Sequence, residues 1–334
     1  MTNARFGCLG VGLVIILALS ILLNFFFLVA NSASVATSSL MPAALPKFDE
    51  ALVSEGKNSD QRIAVVYLRG IISSSEPGTA TETAVEDLKL QLKQAVDDEK
   101  VKAIVLYIDS PGGEVTASDS IYNAVRRTRD KKPVVVYMGS LAASGGYYVA
   151  CGGSWLIANE TTFTGSIGVI MQTLNYQALF DKVGLSMWTF KSGKFKDMLS
   201  GSRPITEEEQ AYVQGLVMQT YSKFVGIVAK ERNLPEEQLR NGVADGRVIS
   251  GKDALEAKLI NQVGEVEDAY AKARELAGAP DASVIRYESR LRLRQLFRML
   301  GKSDNAKIEV DLAAGLVPKL EAGRLYFLPN HFAP

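Results

Sequence analysis

Two apolar runs constrain this chain most. Val101–Ile108 and Pro133–Met138 are almost continuously hydrophobic, and Ala117–Arg129 lies between them with a helical pattern. A strand with one wet face alternates polar and apolar residues. These two do not alternate, so both of their faces are expected to be covered, as in a parallel sheet carrying helices on each side. The surrounding chain continues the alternation. Arg62–Ile72 carries Ile63, Val65, Val66 and Leu68 and reads as a strand; Glu82–Asp98 carries Val85, Leu88, Leu92 and Val96 at helical spacing. Ser144–Ala150 begins a helix, and Trp155–Ala158 and Ser186–Phe190 read as short strands. Thr206 is a good N-cap for a helix to Arg232, with Glu207, Glu208 and Glu209 in its first turn and Pro235 past its end. Ser250–Leu259 reads as another capped helix. The class is α/β.

The ends of the chain differ from its middle. Phe6–Ala30 holds no charged residue, and about 20 apolar residues span a bilayer as a helix. Arg5 precedes this run and the next basic residue is Lys47, so the positive-inside bias puts the N-terminus in the cytoplasm and the remainder outside. The run exceeds the apolar region of a signal peptide, about 7–15 residues, which favours an uncleaved anchor over cleavage near Asn31–Ala36. Residues 31–60, rich in Ser, Ala and Pro, read as a tether, 61–280 as the folded domain, and 281–334 as a basic amphipathic segment with a tail. Within that segment, Arg286–Lys302 alternates basic residues with Leu and Phe. That suits packing on its own domain or a neighbouring subunit, or, as the second reading, contact with an anionic membrane. Lys plus Arg and Asp plus Glu are both 37, so net charge gives no signal for nucleic acid. Cys8 lies in the apolar run and Cys151 in the domain, a pair that forms no disulfide.

Four segments carry chemistry. Ser144 stands in Leu141-Ala142-Ala143-Ser144-Gly145-Gly146-Tyr147-Tyr148, flanked by small residues as a hydroxyl at a tight turn would be. A serine nucleophile needs a base. The only histidine, His331, lies in the last four residues, so lysine is the expected base. Asp109-Ser110-Pro111-Gly112-Gly113-Glu114 follows a buried strand, and its glycines can turn backbone N–H groups toward developing charge. Phe190-Lys191-Ser192-Gly193-Lys194-Phe195-Lys196-Asp197 offers three lysines; Asp197 must point away if Lys196 is to lose its proton readily. Thr162–Val169 offers hydroxyls to orient an amine. Each segment alone also fits an ordinary capped turn or polar loop. Gly246 to Gly251-Lys252 has phosphate-loop spacing, but Asp253 replaces the required Ser or Thr.

Together and in this order, Asp109–Gly113, Ala143–Tyr148, Thr164–Gly168 and Ser192–Asp197 resemble the signal peptide peptidase A family of Ser–Lys proteases, in its short form with one catalytic unit per chain. The resemblance spans residues 60–275 and the N-terminal anchor. It implies a Clp protease/crotonase-like spiral of βαβ units, Ser144 as nucleophile, Lys196 as general base and Ser166 as the hydroxyl orienting that lysine. The oxyanion donors would be the backbone N–H groups of Gly112, with Gly113 as competitor, and Gly145. It implies remnant signal peptides as substrates, a homo-oligomer, the cell membrane of a bacterium as location, and no cofactor or metal. The 52-residue spacing of Ser144 and Lys196 favours a dyad within one chain. An acyl-CoA enzyme of the crotonase type and a catalytically dead anchored scaffold are the alternatives.

Overall fold

The structure is a computed structural model of the full chain, and it describes residues 48–74, 84–288, 326–327 and a few helical positions between 17 and 24. The chain divides into two compact units, Met1–Pro46 and Lys47–Pro334. In the first, Leu17, Leu19, Ile21 and Leu22 are helical with exposed side chains, and the rest of the apolar run lies outside the described residues. Among the described residues no helix is long and apolar enough to cross a membrane.

In the second unit, the described strands join one sheet. Its main path runs through β1 (Asp49–Ser54), β9 (Ala282–Glu288), β2 (Asn58–Ile72), β3 (Val101–Glu114), β4 (Val134–Ala143), β5 (Trp155–Ala158) and β8 (Gln262–Val263). From β9 to β8 every pairing is parallel; β1 is antiparallel to β9. The apolar runs split by parity, as the pleat requires. Ala64, Val66, Ile104, Leu106, Val134 and Val136 bury on one face, whereas Ile63, Val65, Ala103, Val105 and Val135 bury on the other. The first face is covered by α1 (Ala84–Asp97), α2 (Val115–Arg129), α3 (Gly145–Ala150) and α5 (Glu207–Arg232), through residues such as Leu88, Ile121, Tyr148 and Phe224. The second is covered by α8 (Val266–Leu276) through Ala269 and Ala273. Each such Val, Leu or Ile contributes roughly 1.5–3 kcal/mol by leaving water.

Several expectations need correction. β1 lies inside the stretch read as a tether, and β9 lies beyond residue 280, so the folded unit reaches from Lys47 to at least Glu288. Arg286 opens the stretch read as basic and amphipathic, yet it belongs to β9, where it pairs with Glu288; residues 289–302 lie outside the described residues. Ser186–Phe190 forms no strand: Met187, Trp188 and Phe190 are exposed, so no sheet edge receives them. The long helix is as expected. Thr206 accepts from Glu209 N while the Glu209 carboxylate accepts from Thr206 N, closing a capping box.

Candidate active site

The candidate site forms where β3 and β4 part company. The two strands stay in register through Ile108↔Met138, then slip to Ser110↔Ala142. Between these pairs β4 carries three residues, Gly139 to Leu141, against the single Asp109 of β3, and side chains tie them down. Leu141 N donates to Asp109 Oδ1 at 3.2 Å. Thr162 Oγ1 donates to Gly139 O at 2.7 Å, and Thr164 Oγ1 donates to Ala142 O at 2.7 Å. These threonines were legible in the sequence only as polar loop residues. Buried here, their hydroxyls satisfy the carbonyls that the bulge frees from the ladder.

Ser144 follows directly, at the turn from β4 into α3. Its backbone has φ 52 and ψ −113, a conformation that non-glycine residues rarely adopt. Such strain at a strand-to-helix turn lifts a side chain out of the sheet, as at the nucleophile elbow of hydrolases. The turn is held by Ser144 N donating to Gly165 O and by Tyr148 N donating to Ser144 O, both at 2.8 Å. Below it, Tyr147 Oη donates to Leu259 O and Tyr148 Oη to Asp119 Oδ1, fixing α3 against the core. Ser144 is 1% exposed, and its Oγ has no hydrogen-bond partner among the described residues. A buried hydroxyl left so costs about 1–3 kcal/mol, which a purely structural serine would avoid.

Gly145 and Gly146 let this turn approach the end of β3. A Cβ on Gly145 would stand 2.6 Å from Ser118 Oγ and 3.1 Å from both Gly112 Cα and Gly113 N; one on Gly146 would stand 2.8 Å from Ser110 O. The Gly112–Gly113 backbone therefore lies against Gly145, next to the serine. Gly112 has φ 104, and its N–H donates to Ser110 Oγ at 3.1 Å. Ser118, on α2, is a neighbour that no sequence motif announced; its buried Oγ also lacks a partner. Gly145→Ala is expected to push these strands apart. It should lower kcat by about 10²–10³ if the N–H groups serve developing charge, with about 1–3 kcal/mol of destabilisation from overpacking. Steady-state kinetics and thermal melting check this.

Ser166 joins the cluster through the adjoining strand. β6 (Phe163–Gly165) pairs with β4 so that Gly165 lies opposite Ala143. Ser166 comes next, buried, with φ 50 and its N–H on Arg247 O at 2.8 Å. It borders a cavity of about 470 Å³, also lined by Gly168 and by Asp245 and Arg247, which pair with each other.

Among the described residues no hydrogen bond joins Lys196 to Ser144 Oγ. The three lysines are nonetheless distinguished. Lys191 Nζ donates to Asp197 Oδ1 at 2.7 Å, and Lys194 pairs with Glu208. Lys196 is exposed and makes no ion pair or side-chain hydrogen bond among the described residues. Asp197 does point elsewhere, as the chemistry requires: Arg203 clamps it through Nε and Nη2 at 2.9 and 2.7 Å. Those bonds, with Lys191, hold its carboxyl far below the usual carboxylate range. Arg203 also reaches Glu209, whose carboxyl is lowered to about 2 by that contact and by Thr206. This bridge fastens the lysine segment to the start of α5, and Phe195 stacks on Tyr212 of the same helix.

The remaining groups point away from other chemistry. Cys151 is buried, and that burial pushes its thiol up to about 12, which leaves it inert. Among the described residues no group of three or more His, Cys, Asp or Glu side chains is placed to hold a metal ion. His331 and Cys8 lie outside the described residues.

The mixed α/β sheet is consistent with a Clp protease-like domain, and the profile of Clp protease matches residues 55–160. The profile of Peptidase family S49 matches residues 126–280. A Methanocaldococcus jannaschii protein described as a candidate protease is 40% identical over 190 residues, 57% of this chain and 61% of its own length. A Synechocystis protein described likewise is 40% identical over 218 residues, 65% of this chain and 75% of its own. A protein of Enterococcus faecium described as a candidate signal peptide peptidase SppA is 35% identical over 244 residues, 72% of this chain and 70% of its own. The chain belongs to the signal peptide peptidase A family of proteases, peptidase family S49.

Proposed function

We propose that the chain is a membrane-anchored serine endopeptidase whose Ser144–Lys196 dyad is completed when copies assemble. The observation that carries this is the pair of unmet groups. Ser144 Oγ is buried at a strained turn with no partner, and Lys196 is the lysine of its segment left without a carboxylate. The segment bearing Lys196 supports assembly. Leu174, Leu185, Trp188 and Phe190 are each more than half exposed, more large apolar surface in one stretch than a monomer usually leaves in water. Packing that stretch against a neighbouring copy would withdraw Lys196 from bulk water and bring it to a partner's site. The cavity beside Ser166 offers room for the incoming amine and a hydroxyl to orient it.

In the reaction, neutral Lys196 takes the proton of Ser144 Oγ, and the oxygen attacks the scissile carbonyl. N–H groups of Gly145 and of Gly112 or Gly113 hold the oxyanion. The lysine ammonium protonates the leaving amine, the acyl-enzyme forms, and Lys196 then activates water to release it. Substrates are apolar peptides such as remnant signal peptides, met at the outer face of a bacterial cell membrane where the run Phe6–Ala30 anchors the chain. No cofactor takes part.

Mixing tests the shared site. Ser144→Ala and Lys196→Met proteins, each strongly impaired alone, are combined in detergent and allowed to exchange subunits. Assemblies pairing an intact Ser144 from one copy with an intact Lys196 from another should recover a clear fraction of wild-type peptide hydrolysis. Oligomers that mix, by light scattering and tag pull-down, without recovering activity would contradict completion between copies.

A further inference from the structure

The first turn of α5 holds a buried carboxylate where little else is buried. Along α5 the buried residues are Glu209, Phe224, Val225 and Val228. The last three pack into the core, whereas Glu209 stands at the other end of the helix and is 2% exposed. An acidic side chain is almost never that buried unless it is paired. Its partner is Arg203. The guanidinium donates through Nη1 to Glu209 Oε2 at 2.9 Å and through Nη2 to Oε1 at 2.5 Å. The same group donates through Nε to Asp197 Oδ2 at 2.9 Å and through Nη2 to Oδ1 at 2.7 Å. The carbonyls of Pro204 and Asp197 accept from it as well, at 3.0 and 3.3 Å. One side chain thus forks onto two carboxylates at once, a geometry that the planar guanidinium supplies and a lysine ammonium does not.

Asp197 follows Lys196 directly in the chain. A carboxylate paired with a lysine stabilises the ammonium and takes the amine out of use as a base. Both oxygens of Asp197 are engaged elsewhere: Oδ1 accepts from Arg203 and Lys191, and Oδ2 accepts from Arg203. Glu208 is paired with Lys194, and Glu207 in the same turn is exposed. The acids at 197, 208 and 209 are therefore each held by a cation other than Lys196, and Arg203 holds two of the three.

Resting on the peptidase reading above, we infer that Arg203 is a positioning residue for catalysis: it keeps Asp197 off Lys196 and fixes the lysine segment to the first turn of α5, so that the Lys196 amine is left for a Ser144 hydroxyl. The two parts of this role have separable consequences. Fixing the segment needs Glu209 as well as Asp197, whereas leaving Lys196 unpaired needs only that Asp197 be occupied. Without Arg203, Asp197 keeps Lys191 at one oxygen, and its Oδ2 becomes available to the lysine beside it.

The test compares the full-length wild type in detergent with Arg203→Met/Glu209→Gln and with Arg203→Met/Glu209→Gln/Asp197→Asn. Glutamine in place of Glu209 avoids a buried unpaired charge and keeps an acceptor for Thr206 N. Both variants lack the bridge to α5, so any defect of folding or assembly is common to them and cancels when one is compared with the other. On a fluorogenic apolar peptide, the double variant should lose about tenfold or more in kcat, part of the factor of about 10²–10⁴ that a positioned base contributes, with KM little changed. Adding Asp197→Asn should recover most of that loss. A bridge that served structure alone would leave the triple variant as slow as the double, and that result overturns the inference, as does wild-type kcat in the double variant. A fluorophosphonate reactive toward serine is run on the same samples. Wild type that is labelled at Ser144 and active, with kcat indifferent to Asp197→Asn, sinks only the role of Arg203, whereas wild type that is neither labelled nor active sinks the peptidase reading as well.

Discussion

Ser144→Ala is expected to lower peptide hydrolysis by about 10⁴-fold or more while leaving the protein as stable as before or slightly more so. The loss of rate follows from removing the nucleophile, which in serine peptidases leaves only the catalysis owed to binding and the oxyanion donors. The stability prediction is the sharper half, because it runs against the usual cost of altering a buried residue. Ser144 Oγ is buried and accepts or donates no hydrogen bond. Deleting it discards an unpaired polar group rather than a contact. The φ of 52 remains strained for alanine, so the gain should stay within about 1 kcal/mol. Thermal melting beside the activity assay checks both halves. A serine kept there for structure would give a lower melting temperature and little change in rate.

The second large effect concerns which lysine acts. Lys196→Met keeps the length and apolar stem of the side chain but removes the amine. It should lower kcat by about 10²–10⁴, the range that a positioned general base contributes, with little change in KM. Lys191→Met and Lys194→Met should lie within a few-fold of wild type, since their side chains are already paired with Asp197 and Glu208. A loss concentrated in Lys194→Met would move the base to that residue. The pairs that separate the three lysines could not be read from the sequence, where all three stand within six residues of each other. They depend on Arg203, just before α5, and on Glu208 in its first turn.

What the sequence made legible was what short-range patterning controls. The doubly buried strands, the N-cap at Thr206 and the strand-to-helix turn at Ser144 all follow from neighbouring residues, and all are found. The parts that were not legible depend on distant chain. The pairing of β2 with β9 joins residues near 63 with residues near 284. The bulge at Gly139–Leu141 is fixed by Asp109 and by hydroxyls at 162 and 164. Ser186–Phe190 has strand-like apolar content, yet its side chains are exposed. An apolar pattern alone does not say whether a segment is buried. For the same reason the site residues were recognisable one segment at a time, while the pairs that separate Lys196 from its neighbouring lysines were not.

Activity-based labelling tests the central claim most directly. The full-length protein in detergent, treated with a fluorophosphonate and digested for mass spectrometry, should carry the label on Ser144. Labelling should be absent in Ser144→Ala and slowed by about 10²-fold or more in Lys196→Met, as expected when a nucleophile loses its base. Label appearing on another residue at an undiminished rate in Ser144→Ala would contradict the assignment.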